Sequence, residues 1–115
     1  MNADARAAIA AAASVAGVTT ITPYYRQSTA AGQGWVNLAR IDYPNPFGGV
    51  ATWHVVIPLP ADLAVSEQWL DAHAETIRAA VASEMAVRNL TPTNLVMPAG
   101  ATVPALLIEG QRESE

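Results

Sequence analysis

The sequence contains no cysteine and no lysine, and it has little charge of either sign. The missing cysteine excludes disulfide frameworks, thiolate zinc sites and cysteine nucleophiles together. Six arginines stand against 10 acidic residues, and the formal net charge of −4 has the wrong sign for a domain that neutralises many phosphates. Charged residues make up 14% and apolar ones 51%, which excludes both a disordered chain and a charge-rich solvated helix. A small monomer usually surrounds itself with charge. So little charge on so apolar a chain implies that neighbours cover part of its surface. The 24 alanines and the arginine-only basic set read as a GC-rich coding bias, not as arginines chosen for bidentate recognition.

No run approaches the roughly 20 strongly apolar residues of a membrane span. The alanine-rich start, residues 1–16, lacks the positive n-region of a signal peptide because Asp4 cancels Arg6. A cytoplasmic destination is the expectation. The length of 115 residues fits one domain at about 100–200 residues per domain, large enough for a core without staples.

Along the chain, Asn2 can cap a first helix that alanines propagate and Gly17 ends, with Ala5, Ile9, Ala12 and Ala16 as a shallow stripe. Val18–Arg26 is rich in β-branched and aromatic residues and predicts a short edge strand. Gln27–Gly34, small and polar with two glycines, predicts a mobile hairpin arm. Strands are expected at Trp35–Tyr43 and Val50–Leu59, around a turn over residues 44–49. Ser66 predicts the cap of a long helix whose stripe is Leu70, Ala74, Ile77, Val81 and Met85, with Glu84 and Arg88 as an i,i+4 pair. Strands at Asn94–Met97 and Thr102–Glu109 close the chain, and residues 111–115 should fray. The order α-β-β-β-α-β-β predicts an α+β two-layer sandwich, a mixed or antiparallel sheet of about five strands with two helices on one face.

No catalytic, metal or cofactor site assembles from the sequence. His54 and His73 stand apart from any H-x-x-x-H, H-E-x-x-H or carboxylate–histidine grouping. Asp71 and Glu75, one turn apart, read as a solvated helix face. Ser28 and Thr29 have no base nearby and no nucleophile elbow. The aromatics say more. Trp53 fits the core face of its strand, whereas Tyr24 and Tyr25 are neighbours that must point to opposite faces. Trp35 opens a strand beside the expected arm, and Phe47 sits at a turn between Pro46 and Gly48. Large apolar groups in such places are interface anchors. The candidate interface is therefore Tyr24, Tyr25, Arg26, Gln27, Ser28, Thr29, Gln33, Trp35 and Phe47.

The succession ITPYYR, QSTAAGQG, the hairpin GWVNLARIDYPNPFGGVATWHVVIPLP, the helix SEQWLDAHAETIRAAVASEMA and the closing LVMPAGATVPALLIEGQRE resembles the tail terminator and head–tail connector proteins of long-tailed bacteriophages. The likeness is one of architecture and texture over nearly the whole chain, with no short motif in it. It implies a homo-oligomeric ring, usually a hexamer, in the virion at the head–tail junction, assembled in the host cytoplasm. Its partners would be the tail tube protein and the head-completion or stopper protein. DNA would only pass through the lumen, and no cofactor, catalytic residue or membrane is implied. The rival expectations are a neighbouring connector or stopper subunit, and a small monomeric binding module or enzyme with a pocket near Tyr24, Tyr25 and His54.

Overall fold

The computed structural model describes residues 2–26, 30–98 and 100–114. Its elements run α1 (Asn2–Ala13), β1 (Thr20–Thr22), β2 (Gln33–Asn45), β3 (Gly48–Pro58), α2 (Leu63–Val81), β4 (Ala86–Val96) and β5 (Thr102–Ser114). The strands form a five-stranded sheet in the order β1-β2-β3-β5-β4. Only the β1–β2 pairing is parallel, so the sheet is mixed and the fold is the expected α+β sandwich.

One core joins both helices to one sheet face. Ala5, Ile9, Ala10 and Ala13 of α1 and Ile77 and Val81 of α2 bury with Trp53, Val55, Ile57, Leu106 and Ile108 of the central strands. The strand register puts Val55 beside Ile108 and Ile57 beside Leu106, so these apolar side chains stack in rows under the helices. Burying a side chain such as Ile77 contributes about 1.5–3 kcal/mol.

Several boundaries differ from expectation, each for a physical reason. α1 stops at Ala13, where Ser14 Oγ donates back to the Ala10 carbonyl and Thr19 takes the Ala13 carbonyl. The stripe accordingly ends on Ala13 rather than Ala16, and Gly17 (φ 76°) serves the turn that follows. α2 is capped by Asp62, whose carboxylate accepts from Val65 N at 3.0 Å; Ser66 lies inside the helix and is buried. Met85 is buried past the end of α2 and lies over Gly110. Glu84 and Arg88 do not pair on a helix. Arg112 donates to Glu84 at 3.4 Å, and Arg88 on β4 donates to Gln111 at 3.2 Å.

β4 begins at Ala86, eight residues before the expected start, because an edge strand bonded on one side tolerates polar residues and Pro92. The tail does not fray as far as Ser114: Gln111–Ser114 pair with β3, Gly49 opposite Ser114. β1 is three residues long, not nine, and runs parallel to β2, so no hairpin joins them.

Candidate functional site

The expected arm divides. Gln27, Ser28 and Thr29 lie outside the described residues. Gly32, Gln33 and Gly34 are not an arm: Gly32 is a turn residue bonded to the sheet, and Gln33 and Gly34 begin β2. Gly32 N donates to the Pro58 carbonyl at 2.9 Å, and Thr20 N donates to the Gly32 carbonyl at 2.9 Å. Gln33 is exposed at the start of β2, opposite Thr20. A Cβ at Gly34 would run into the carbonyl oxygen of Val56. Glycine here permits close approach of two backbones, a different use from flexibility.

Trp35 is not a free anchor either. It is 5% exposed, packed with Val56, Met97 and Ala105 on the sheet face away from the helices. Tyr25 covers it edge-on, ring centroids 4.9 Å apart at 78°. Tyr24 turns to the helix side, where its ring and that of Trp53 sandwich the Arg6 guanidinium at 4.7 and 5.1 Å. Arg6 Nη1 also donates to the carbonyls of Pro23 (3.0 Å) and Val36 (2.9 Å), tying α1 to the first two strands. The neighbouring tyrosines thus take opposite faces as expected, and both keep much exposure. Arg26 is half-buried, with Nε and Nη2 shut away and unbonded among the described residues.

The projecting element is the β2–β3 hairpin. From Ala39 to Asn45 every residue but Ile41 is exposed. Asn45 pairs with Gly48, leaving a two-residue loop of Pro46 and Phe47. Asn45 Oδ1 accepts from Phe47 N at 2.9 Å and fixes the turn. Phe47 is 95% exposed and Tyr43 71%. Beneath the tip an open groove of about 880 Å³ lies between Phe47, Gly48 and Gly49 on one side and Ser83, Glu84 and Arg112 on the other. Phe47 was legible from its place between Pro46 and Gly48; Tyr43 was not, because it falls at the end of the strand expected at Trp35–Tyr43 and nothing local shows that this end projects.

Strand register also assembles a pair that sequence reading missed. His54 and Glu109, 55 residues apart, face each other across β3 and β5 with Nε2 and Oε1 3.0 Å apart. Asn89 on β4 donates to Glu109 Oε2 at 3.3 Å. The His54 bond, with help from Asn89, holds the Glu109 carboxyl below the usual carboxylate range against the opposing effect of burial. The pair sits on the same sheet face as Tyr25, whereas Tyr24 lies on the other face, so the three residues do not line one pocket. Among the described residues no His, Asp or Glu cluster could hold a metal, and no helix is long and apolar enough to cross a membrane.

No family model matches the chain, and no curated protein matches it.

Proposed function

We propose that this chain is a structural virion subunit, one copy of a homo-oligomeric ring at the head–tail junction of a long-tailed bacteriophage. The ring caps the tail tube, ends its polymerisation and joins it to the head-completion protein, leaving a channel for DNA. The observation that carries this reading is Phe47, a large apolar side chain held almost wholly in solvent by a fixed turn, on a chain poor in charge. An exposed aromatic on a built projection is an association device. The acidic, lysine-free composition suits a passage that must release DNA.

Size measurement tests the reading: sedimentation and negative-stain microscopy of the purified chain, alone and with tail tube protein, should give closed rings. A chain that stays monomeric in both would overturn it. The neighbouring connector or stopper role makes the same rings and separates by its partner, in that the ring would not bind the tail tube protein. The His54–Glu109 contact favours one further reading, a small-molecule site or enzyme on the open sheet face. Ligand-induced shifts confined to the His54 and Glu109 resonances would support that over the ring.

A further inference from the structure

Where β1 ends, an arginine continues its cover of β2. The N-terminal segment takes three carbonyls at every second residue along one side of β2. Thr20 N donates to the Gly32 carbonyl at 2.9 Å, Thr22 Oγ1 to that of Gly34 at 3.3 Å, and Arg6 Nη1 to that of Val36 at 2.9 Å. β1 pairs no further along β2 than Trp35, so the guanidinium of α1 reaches the carbonyl that β1 is too short to cover. The same guanidinium lies between the rings of Tyr24 and Trp53, and Nη1 also bonds the Pro23 carbonyl at 3.0 Å. Arg6 thus grips both sides of one seam: Pro23 and Tyr24 beside it in the N-terminal segment, Val36 and Trp53 in the sheet.

Other bonds make α1 and β1 one piece. Ser14 Oγ accepts from Ile21 N at 2.9 Å and donates to the Ala10 carbonyl at 2.9 Å, while Thr19 Oγ1 donates to the Ala13 carbonyl and accepts from Val15 N at 2.8 Å. What holds this piece to the sheet is slight. Among its described residues Ile9 and Ile21 are the only large side chains in the buried core, the others being Ala5, Ala10 and Ala13. β3 and β5, by contrast, pair from Gly49 to Pro58 over Trp53, Val55, Ile57, Leu106 and Ile108. A part with few buried apolar contacts opens locally, below the cost of global unfolding. We infer that α1 and β1 lift from the sheet as one unit with Arg6 as its latch, and that lifting opens the edge of β2. Docked, the unit occupies the carbonyls of Gly32, Gly34 and Val36; lifted, it leaves three acceptors free in a row, the template on which an added strand pairs. Pairing on this side of β2 is therefore conditional on α1 leaving, whether or not the chain forms a ring.

Native-state hydrogen exchange on the full chain tests this. The probes are the amides of Ile9–Ala13, which lose protection on lifting because an isolated helix this short is marginal, and that of Thr20, whose bond crosses the seam. Both should report one shared opening, roughly a hundredfold more frequent than that of Val55–Ile57 and Leu106–Ile108. Arg6→Ala should speed both groups by roughly tenfold or more, because its contacts are broken in the lifted and the unfolded chain alike. Leu90→Ala, on β4 at the opposite edge of the sheet, should speed only the central strands, because its packing survives lifting. That asymmetry is the signature of a separate unit. Equal speeding of both groups by both variants would overturn the inference, as would central and N-terminal amides opening together in the unaltered chain. An Arg6→Ala effect on α1 that spared Thr20 would overturn the latch, and an Arg6→Ala chain unfolded throughout would place Arg6 in the core instead.

Discussion

The two ends of β2 meet opposite fates. At its start, Gly34 lies against the backbone of β3 and Trp35 is sealed by Val56, Met97 and Tyr25. At its end, Tyr43 and Phe47 stand in water on a projecting hairpin. Composition suggests the reverse: glycines and small polar residues ought to be loose, and aromatics ought to be inside. What decides is the neighbour across the sheet. At the start, β2 is flanked by β1 on one side and β3 on the other, and the closing hairpin brings Met97 to the same face as Trp35. At the end, β2 is paired with β3 alone, and Phe47 has almost nothing over it.

The sharpest way to break this contrast is at the sealed end. Trp35→Ala should cost about 3–5 kcal/mol, the usual range for emptying a buried aromatic site, with the loss read from chemical denaturation. A cost below 1 kcal/mol would mean that the outer face is not a second core. Gly34→Ala should cost about 1–3 kcal/mol, because its methyl meets a carbonyl rather than a yielding side chain. Gly17→Ala meets no neighbour and is strained only by its positive φ, about 1 kcal/mol. If Gly34→Ala were no worse than Gly17→Ala, the close strand approach would be wrong.

The architecture was readable from the chain because its signals are local. The alternation Ala51, Trp53, Val55, Ile57 and the stripe through Ile77 and Val81 each report one buried face. β4 was half hidden because an edge strand needs no apolar face, and Arg88, Asn89 and Pro92 look like a loop until β5 is beside them. The candidate site was less legible. The exposure of Phe47 follows from its turn, but Trp35 and Gly34 are explained only by strands that arrive more than 20 residues later. His54 and Glu109 meet through register alone, and register is a property of the assembled sheet.

Midway along the same outer face, the His54–Glu109 bond offers a smaller, pH-dependent check. Because the Glu109 carboxyl is held low, its stabilising contribution is present above the unfolded carboxylate range and is lost as pH falls through the lowered folded value. A carboxyl-carbon titration by NMR should place Glu109 below an ordinary glutamate, and His54→Ala should raise it. Glu75, held low by Arg78 on α2, should not move in that variant. An unchanged Glu109 midpoint would mean that the two strands do not present this pair in solution.

The projecting end should give the smallest effect on folding and the largest on assembly. Phe47→Ser removes a side chain that packs on almost nothing within its own subunit, so its unfolding free energy should change by no more than about 0.5 kcal/mol. Trp35→Ala is the mirror case, costly to the fold whatever the oligomeric state. Measured on the monomer by thermal unfolding and on the assembled protein by sedimentation, the two variants should therefore swap rank. If Phe47→Ser lowered monomer stability as much as Trp35→Ala, the tip would be folded onto its own chain in solution. The groove beside Glu84 and Arg112 would be its seat, and the turn would no longer offer Phe47 to a neighbour.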